Sequence, residues 1–320
     1  MSVTIGIDLG GTNIKGVLLN EQGQLLLQHS IPTSDGEDGK WKEKVVEMVA
    51  YLRRHADGAI DVIGLSCPGL ADEQNKCIIH LPNRLEGLIN LDWEEAFGTS
   101  TFVMNDAHAA LVAEATFGVL KGYQNAVLLT LGTGVGGGIL INGELYQGQH
   151  QMAGHFGHIC INPSDDETSI IGMPGSLEYA IGNYSVKRRS LGRFETTFDL
   201  VKAYEGGDVF ATWLWLDLTR KLALTIASIA NSLSPQMVVL AGGITQSGES
   251  LLQPLHSFLN IYQQWPAGKK TPIQIARFND LAGAIGAAAF ALAKLQKLDN
   301  HHFLPGINPK NNVINSISNS

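Results

Sequence analysis

The sequence predicts an α/β protein with two domains, and three observations lead to this prediction. The chain has 320 residues, more than one domain usually contains, and 44% of them are hydrophobic, which is enough for two ordinary cores. Short apolar strand patterns alternate with longer helical patterns along the chain. A strand, a glycine-rich turn and a returning strand occur near the beginning of the chain and again near its middle. This self-similarity suggests a duplicated unit.

The first half of the chain opens with a predicted β-hairpin that has a glycine-rich tip. Residues 3–7 and 14–19 alternate as strands do, and residues 25–29 predict a third strand. The further elements predicted in this half are a helix with an apolar stripe over residues 41–55, a buried strand over 62–66 and a helix over 107–117.

The second half repeats this opening. Residues 126–131 predict a buried strand, residues 132–138 a turn, and residues 139–141 a returning strand that ends at the hairpin sequence Asn142-Gly143. The elements predicted after it are a long helix over residues 209–233 that stops before Pro235, a strand over 237–241, a third glycine turn at Gly242-Gly243 and a helix near Glu249.

These elements predict a small N-terminal domain over residues 1–118 and a larger domain over residues 119–283. A helix rich in Ala and Gly is predicted over residues 281–298, and the segment 284–300 is expected to cross back to the first domain. Residues 301–320 are rich in Asn, Ser and Pro and have little periodicity, so we expect a loosely attached tail.

Composition argues against several functional classes and partners. The formal net charge is -8 and there is no basic run, so the electrostatic attraction on which nucleic-acid binding depends is missing. The sparse cysteines, Cys67, Cys77 and Cys160, have no paired spacing, which predicts free thiols in a reducing compartment and hence a cytoplasmic protein. The N-terminus shows no signal-peptide pattern, and the longest apolar stretch, residues 222–229, is shorter than a membrane span of about 20 residues.

The second glycine-rich loop contains the spacing Gly132-x-Gly134-x-x-Gly137, which matches a dinucleotide-binding fingerprint. In that fingerprint a helix follows the glycines, and a carboxylate about 20 residues later binds the ribose. Here a strand follows, and the corresponding region, His155-Phe-Gly-His158, contains no carboxylate. The pattern of a P-loop is absent from the sequence. A dehydrogenase is therefore disfavoured.

Two matched glycine loops between strands instead predict phosphate binding, because successive backbone N–H groups at a hairpin tip can converge on an anion. Ordinary glycine hairpins are the alternative, which would explain one loop more easily than two. Thr12 in the first loop and Thr133 in the second would add hydroxyl donors.

Two carboxylates stand beside these loops. Asp8 ends the first strand and is placed to hold Mg²⁺ through water, with a turn-capping role as the alternative. Asp106 lies between the two loops in sequence, at the end of a strand and the start of a helix. Phosphoryl transfer needs a group that orients and deprotonates the attacking hydroxyl, which Asp106 can supply, although a helix cap is common at such a position. The combination predicts a kinase.

The chain resembles the ROK family of sugar kinases and sugar-sensing regulators, within the hexokinase, Hsp70 and actin superfamily. The resemblance implies two RNase H-like (actin-like ATPase) domains, with mixed β-sheets flanked by helices, that close over an interdomain cleft. The motifs that match, in order, are Asp8-Leu-Gly-Gly-Thr12, Pro68-Gly69, Leu81-Pro-Asn83, Asn105-Asp106, Leu131-Gly-Thr-Gly-Val-Gly-Gly-Gly138, Gly154-x-x-Gly-His158, Gly175-x-x-Glu178 and Ala241-Gly-Gly243.

The resemblance also implies roles for individual residues. Asp106 would be the catalytic base for a sugar hydroxyl. The homodimer that many members of the family form is expected here as well. The residues that would bind the sugar are Gly69, Asn83, Asn105, Asp106, His155, His158 and Glu178; those that would bind ATP and Mg²⁺ are Asp8, Gly10, Gly11, Thr12, Asn13, Lys15, Thr133, Gly134 and Gly136, with Gly242 and Gly243 against the adenosine.

The chain departs from the family pattern at two places. His155 stands where the sugar kinases usually have a Glu that contacts the sugar. The family's zinc motif, Cys-x-Cys-Gly-x-x-Gly-Cys-x-Glu, corresponds here to residues 169–178, where all three cysteines are replaced. Structural zinc needs about four N or S ligands, so we expect none. A substitute site from His155, His158 and Cys160 is the alternative, although such histidines are more often sugar-contacting or packing residues.

The expected function is that of an ATP- and Mg²⁺-dependent hexose kinase that converts glucose to glucose 6-phosphate. N-acetylhexosamines, mannose and fructose are alternative acceptors, and polyphosphate is an alternative donor. A non-catalytic sugar-binding protein or a sugar-sensing regulator is the alternative of another class. The acidic charge and a first strand that begins near Val3 disfavour a DNA-binding regulator.

Overall fold

The computed structural model describes residues 2–36, 39–82, 84–263 and 268–302. Its first half forms a five-stranded mixed sheet with a small two-stranded sheet beside it. The elements of this half are β1 (Ser2–Leu9), β2 (Asn13–Asn20), β3 (Leu25–Pro32), α1 (Lys40–Arg54), β4 (Ala59–Cys67), β5 (Leu70–Ala71), β6 (Ile78–His80), α2 (Trp93–Phe97), β7 (Thr101–Asn105) and α3 (Asp106–Phe117).

The second half forms another five-stranded mixed sheet, which is covered by longer helices. Short 3-10 helices lie at Phe156–His158, Asn183–Ser185 and Gly243–Ser247. The elements of this half are β8 (Ala126–Leu131), β9 (Val135–Ile141), β10 (Glu144–Tyr146), α4 (Leu177–Ile181), α5 (Val186–Arg189), α6 (Thr197–Glu205), α7 (Val209–Leu233), β11 (Met237–Ala241), α8 (Glu249–Tyr262), β12 (Ile273–Ile275) and α9 (Ala282–His302).

The two sheets have the same topology. The strand order is β3-β2-β1-β4-β7 in the first sheet and β10-β9-β8-β11-β12 in the second. In each sheet the first three strands of the half form antiparallel pairs, and the last two add in parallel. The predicted α/β class with two mixed sheets flanked by helices is confirmed, and the shared order agrees with a duplicated unit.

Local sequence accounts for where the main helices form. In α1 the apolar residues Trp41, Val45, Met48 and Leu52 recur at helical spacing and are buried against the first sheet. The 25-residue helix α7 begins after Asp208, whose carboxylate accepts a hydrogen bond from the Ala211 N–H, and ends before Pro235. The apolar residues of α7 are buried in a cluster with those of the second sheet, so each half has an apolar core.

Helix α9 packs closely against the first sheet because small residues face each other there. A Cβ on Gly6 of β1 would lie 2.0 Å from the Ala284 carbonyl oxygen, and one on Gly64 of β4 would lie 1.9 Å from the Ala287 carbonyl oxygen. Only glycine allows the helix backbone to approach these strands so closely. The helix thus lies against the N-terminal sheet, although the division of the chain after residue 118 stays a prediction.

Two predicted boundaries were wrong. The turn predicted over residues 132–138 is shorter, because Val135 and Gly136 already pair with Leu131 and Thr130 in the β8–β9 ladder. The last helix continues to His302, two residues into the tail predicted over 301–320, since no proline precedes Pro305 in this segment. Residues 303–320 of that predicted tail lie outside the described residues.

Two further predictions concern the state of the cysteines and the length of the apolar segments. Cys67, Cys77 and Cys160 are free thiols. Among the described helices, none is both long and apolar enough to cross a membrane.

Candidate active site

A cavity of about 680 Å³ opens where β4, β7 and β8 end. It brings together residues from the turns that follow these strands and from the loop and short helix after β10. Asn83 lies outside the described residues, so its predicted place in the site has no structural counterpart here. The predicted site residues that line the cavity are Gly69, Asn105, Asp106, Thr133, Gly134, Gly136, His155, His158, Glu178 and Gly242.

Asn105 and Asp106 stand at the junction of β7 and α3. The Asn105 side-chain oxygen accepts a hydrogen bond from the Ala107 N–H at 2.9 Å, and its amide donates to the Gly69 carbonyl at 2.9 Å. Asn105 is therefore the cap of α3. Asp106 is the first residue of the helix, where one carboxylate oxygen accepts from the Ala107 N–H at 2.8 Å. The capping role considered for Asp106 belongs to its neighbour.

Asp106 is exposed to the cavity, and the protein atoms packed around its carboxyl group raise its pKa above the ordinary value, because they remove part of the water that would stabilise the charged form. The Ala107 N–H and the Arg84 guanidinium act in the opposite direction, since both favour the ionised form. A carboxylate with a raised pKa is a stronger base than an exposed aspartate. Asp106 thus has the environment of a general base.

Asp8 is partly buried at the end of β1, beside the first glycine loop. Burial raises its pKa to about 6, and a hydrogen bond from the Ser66 hydroxyl, 2.8 Å from Asp8 Oδ1, opposes the shift. The carboxylate also packs against the start of α9, where a Cβ on Gly283 would lie 2.4 Å from its carboxyl carbon. Asp8 is fixed at the edge of the cleft by these contacts, as a carboxylate that holds a cation through water needs to be.

The first glycine loop is braced by the end of β3. The Thr33 hydroxyl donates to the Gly10 carbonyl at 2.7 Å, and the Thr33 N–H donates to the Thr12 carbonyl at 2.9 Å. Within the described residues, the N–H groups of Gly11 and Thr12 donate to no protein acceptor. These N–H groups fit an anion. Lys15 donates to the Asp280 carbonyl at 3.1 Å and pairs with its carboxylate at 3.3 Å, so its ammonium faces Asp280.

The second glycine loop joins β8 to β9. The carbonyls of Gly132 and Thr133 accept hydrogen bonds from the N–H groups of Asn183 and Tyr184, at 3.0 and 3.1 Å. Over the part of the chain that the structure describes, the Thr133 and Gly134 N–H groups have no acceptor, so they also fit phosphate. The Gly136 N–H donates to the Thr130 hydroxyl at 3.0 Å and is already used.

A second cavity, of about 880 Å³, adjoins this loop and shares Gly132 and Thr133 with the first. Helix α6 contributes Phe198 and Val201 to its wall, and the 3-10 helix after β11 contributes Gly243. Phe198 is 74% exposed, which leaves an aromatic face open to a ligand. An apolar cavity beside a glycine loop whose N–H groups fit phosphate is typical of a nucleotide site.

Three histidines form a cluster beside the first cavity, and two of them, His155 and His158, line it. The His108 ring lies 5.7 Å from that of His155, which lies 6.1 Å from that of His158. His108 Nε2 is 2.8 Å from the Ala153 carbonyl, which can only accept, so this nitrogen bears the proton in the neutral ring. This bond holds the backbone next to Gly154 and His155.

His155 and His158 each present a ring nitrogen without a protein partner. His155 Nε2 and His158 Nδ1 are buried, and neither forms a hydrogen bond within the described residues. Burial, together with the neighbouring His108 and His158, lowers the pKa of His155 to about 4. The ring is therefore neutral near pH 7 and can either donate or accept one hydrogen bond there. Unpaired buried nitrogens of this kind point to a polar ligand.

Glu178 connects the two sides of the site. It lies in the first turn of α4 and is 6% exposed. Oε1 accepts from the Val135 N–H at 3.1 Å, beside the second glycine loop, and Oε2 accepts from the Ile170 N–H at 3.0 Å. One carboxylate thus fixes two separate loops through charge-assisted hydrogen bonds.

Two of the three residues at the positions of the family's zinc cysteines form local hydrogen bonds through their side chains. Ser169 accepts from the Met173 N–H at 3.0 Å, and Ser176 caps α4 by accepting from the Tyr179 N–H at 3.1 Å. Together with the Glu178–Ile170 bond, these contacts hold the loop before α4. Among the residues that the structure describes, no group of three or more His, Cys, Asp or Glu could hold a metal ion.

Sequence reasoning missed several residues that line the first cavity. One of them is Arg84, for which the one signal in the sequence was its position directly after the Leu81-Pro-Asn83 motif. Met152, Ile170 and Ile171 form an apolar wall and are each about half exposed. Their apolar side chains resemble ordinary loop or core residues in the sequence, so their role depends on the folding of the loops around them.

The fold and the paired glycine loops define a protein of the actin-like ATPase class. Residues 4–294 match the model of the ROK family, and the chain belongs to this family. A glucokinase from Halalkalibacterium halodurans is 29% identical over 312 residues, which cover 88% of this chain and 92% of that protein. An N-acetyl-D-glucosamine kinase from Haemophilus influenzae is 28% identical, covering 90% of this chain and 99% of that protein.

Solved structures give the same assignment of the fold. The crystal structure of a ROK hexokinase from Thermus thermophilus superposes with a TM-score of 0.79 and 28% identity. The match covers 92% of this chain and 99% of that chain. The similarity to sugar kinases therefore extends over nearly the whole chain.

Proposed function

We propose that this protein is an ATP-dependent hexose kinase. The observation that supports this most directly is that Asp106 lines one cavity together with the second phosphate loop and the unpaired nitrogens of His155 and His158. Phosphoryl transfer to a sugar needs these three things in one place: a base, a phosphate cradle and hydrogen-bonding groups for hydroxyls. The similarity to sugar kinases agrees with this assignment.

In the proposed reaction, Asp106 takes the proton from the attacking sugar hydroxyl. Asn105 stabilises the junction of β7 and α3, which holds Asp106 in position. His155, His158 and Glu178 bind the remaining hydroxyls. The free N–H groups of Gly11, Thr12, Thr133 and Gly134 bind phosphate oxygens. Asp8 would hold Mg²⁺ through water, and that ion would neutralise charge on the phosphates.

ATP is the donor that the second cavity favours. A chain of phosphates offers nothing to fill an apolar cavity of about 880 Å³, whereas an adenosine would place its base against Phe198 and its ribose near Gly243. Polyphosphate would contact only the glycine loops. We therefore propose ATP, with Gly242 and Gly243 against the adenosine.

Glucose is the proposed acceptor, and an N-acetylhexosamine is the second candidate. Two observations favour the second: His155 offers a neutral ring where a carboxylate is usual, and Met152, Ile170 and Ile171 provide an apolar wall suited to an acetyl methyl group. One of the similar proteins is a kinase for such a sugar. Mannose and fructose stay alternatives.

A non-catalytic sugar-binding protein is the alternative of another class. Such a protein has no use for a base, yet Asp106 has a raised pKa and lines the same cavity as the second glycine loop. This environment favours the enzyme. The homodimer, the absence of a nucleic-acid partner and the cytoplasmic location stay predictions.

The proposed function is tested by following ADP release from the full chain with Mg²⁺-ATP over glucose, mannose, fructose, N-acetylglucosamine and N-acetylmannosamine. We expect turnover with at least one hexose and none without sugar above a slow background. Sugar binding detected by calorimetry without any turnover would overturn the proposed kinase function and support the sugar-binding alternative.

Exchanging His155 for Glu is expected to raise kcat/KM for glucose relative to N-acetylglucosamine by about 10-fold. A carboxylate accepts hydrogen bonds from two hydroxyls, whereas a neutral imidazole accepts one. The measurement is the ratio of kcat/KM for the two sugars in each protein. His150→Glu, at an exposed position outside the cavity, is the matched control. An unchanged ratio would show that His155 does not select the sugar.

Acid is expected to lower kcat/KM, with a midpoint near pH 6. The pKa of Asp8 is raised to about 6 and that of Asp106 is also raised, and both groups act as carboxylates, so protonation removes activity as the pH falls. More Mg²⁺ should move the midpoint to lower pH, because the ion binds ionised Asp8. Ser66→Ala should move it upward, because the Ser66 hydroxyl lowers the pKa of Asp8. A flat profile down to pH 5 would contradict these assignments.

A further inference from the structure

Arg84 is a cation in the cleft that neither the motifs nor the proposed mechanism uses. It lines the same cavity as Asp106 and the second glycine loop, and it is the sole Lys or Arg among the described residues that line this cavity. Lys15, the nearest cation of the first glycine loop, is paired with Asp280. Arg84 also pairs with an aspartate, Asp35, but of the two cations it is the one that lines this cavity.

The guanidinium of Arg84 lies directly against the first glycine loop. A Cβ on Gly11 would lie 2.0 Å from Arg84 Nη2 and 2.9 Å from its central carbon, so a side chain at this position would displace the guanidinium. The Gly11 N–H has no acceptor within the described residues. An anion bound by this N–H group would meet the guanidinium at the same place.

The β3–α1 turn holds Arg84 in this position. Asp35 Oδ2 lies 3.5 Å from Arg84 Nε, and Asp35 Oδ1 accepts from the Leu85 N–H at 3.2 Å. Thr33, two residues before Asp35, braces the glycine loop through its hydrogen bonds to Gly10 and Thr12. One turn therefore positions both the loop and the arginine. The pair with Asp35 uses Nε, and among the described residues no acceptor is bonded to Nη1 or Nη2, so both can contact a ligand.

Arg84 also acts electrostatically on Asp106, whose pKa it lowers. Its charge therefore acts on the proposed base while its guanidinium lies against the first glycine loop. In phosphoryl transfer, the group that moves passes between these two points, and negative charge spreads over its three outer oxygens. A planar guanidinium with several N–H donors is suited to bind two such oxygens at once.

We propose that Arg84 is a further catalytic residue, whose guanidinium contacts the transferring γ-phosphoryl group and stabilises its charge. This proposal rests on the proposed kinase function. In the step, the sugar oxygen forms a new bond to the γ-phosphorus and Asp106 takes the hydroxyl proton. The bond from the γ-phosphorus to the bridging oxygen breaks, and its electron pair leaves with ADP.

The experiment compares Arg84→Ala and Arg84→Lys with the wild-type chain. We expect kcat to fall about 100-fold in Arg84→Ala, with the KM for sugar changed less than about 2-fold, because a donor acting in the transition state affects kcat. Arg84→Lys should recover about 10-fold, since the charge returns without the bidentate geometry. Arg193→Ala is the matched control, because Arg193 also pairs with an aspartate, Asp208 at 3.0 Å, and is similarly exposed outside both cavities.

Binding provides a second measurement that does not need turnover. Calorimetry with Mg²⁺-ADP and with Mg²⁺-AMPPNP, a non-hydrolysable ATP analogue, reports the contact with the γ-phosphate. We expect Arg84→Ala to weaken AMPPNP about 10-fold and to leave ADP within about 2-fold, because only AMPPNP has the group that Arg84 contacts.

Several outcomes would overturn the proposal. Unchanged kcat and AMPPNP affinity in Arg84→Ala would exclude a catalytic role. An increase in sugar KM alone would show that Arg84 binds the acceptor and not the phosphoryl group. An equal loss of ADP and AMPPNP affinity together with a lower Tm would show that its role is structural. If the wild-type chain phosphorylates no sugar, the proposed function fails, while the AMPPNP and ADP comparison still decides whether Arg84 contacts a γ-phosphate.

Discussion

Replacing Asp106 by Ala is expected to lower kcat about 1000-fold, with a much smaller effect on sugar affinity. A general base contributes about 100-fold to 10,000-fold to such a reaction, and the expected loss at this carboxyl, whose pKa is raised, lies in the middle of that range. Because the base acts as the new bond forms, its loss affects turnover more than binding. The measurement is steady-state turnover together with calorimetric sugar binding.

Asp106→Asn separates the loss of the base from damage to the fold. The amide keeps an oxygen that can accept from the Ala107 N–H, so α3 should form and Tm should stay close to that of the wild-type chain. Its kcat should fall as far as that of the alanine variant, because an amide cannot take the proton. Asp92→Asn, at the cap of α2 and outside this cavity, is the control and should retain activity. Near-normal turnover in both Asp106 variants would refute the assigned base.

Replacing Glu178 by Ala is expected to lower the free energy of unfolding by about 3 kcal/mol and to weaken both substrates. The carboxylate accepts from the Val135 and Ile170 N–H groups, and hydrogen bonds to a charged group contribute about 1.5–3 kcal/mol each. Its removal leaves two N–H donors without their acceptor. Since Val135 adjoins the phosphate loop and Ile170 lines the proposed sugar cavity, AMPPNP and sugar affinities should each fall about 10-fold.

Denaturant unfolding and calorimetry with each ligand measure these effects. Glu178→Gln should have a smaller effect on stability, because its amide oxygen can still accept from one of the two N–H groups. Glu167→Ala is the control in the same loop, where the Glu167 side chain forms an ion pair with the exposed Arg188 and should contribute little. A loss of sugar affinity with unchanged stability and AMPPNP binding would show that Glu178 contacts the sugar without connecting the loops.

The sequence was most informative where function depends on local backbone chemistry. Strand endings, glycine turns and the Asn105-Asp106 junction follow from short patterns, because turn formation and helix capping involve residues that are neighbours in the chain. This is why Asp8, Asp106 and both glycine loops could be predicted. The resemblance to a family added His158 and Glu178, for which local patterns gave no chemical role.

Other features could not be read from the sequence. The glycines of Val135–Ile141 resemble a continuing turn, but the ladder with β8 draws them into a strand. Gly136 looked like a phosphate ligand, yet its N–H donates to Thr130, a contact that depends on the strand register. Ser66 reads as an ordinary buried strand residue until the parallel pairing of β1 with β4 places it beside Asp8.

The sequence by itself determined the fold class, the two glycine loops and the carboxylates beside them, because each of these is encoded within a few consecutive residues. Only the tertiary structure placed Arg84 against Gly11 and joined two loops through Glu178. It also left one ring nitrogen each of His155 and His158 buried, without a partner among the described residues. These contacts connect segments that are far apart in the chain. Their geometry depends on how the two sheets and their loops pack, which no local pattern specifies.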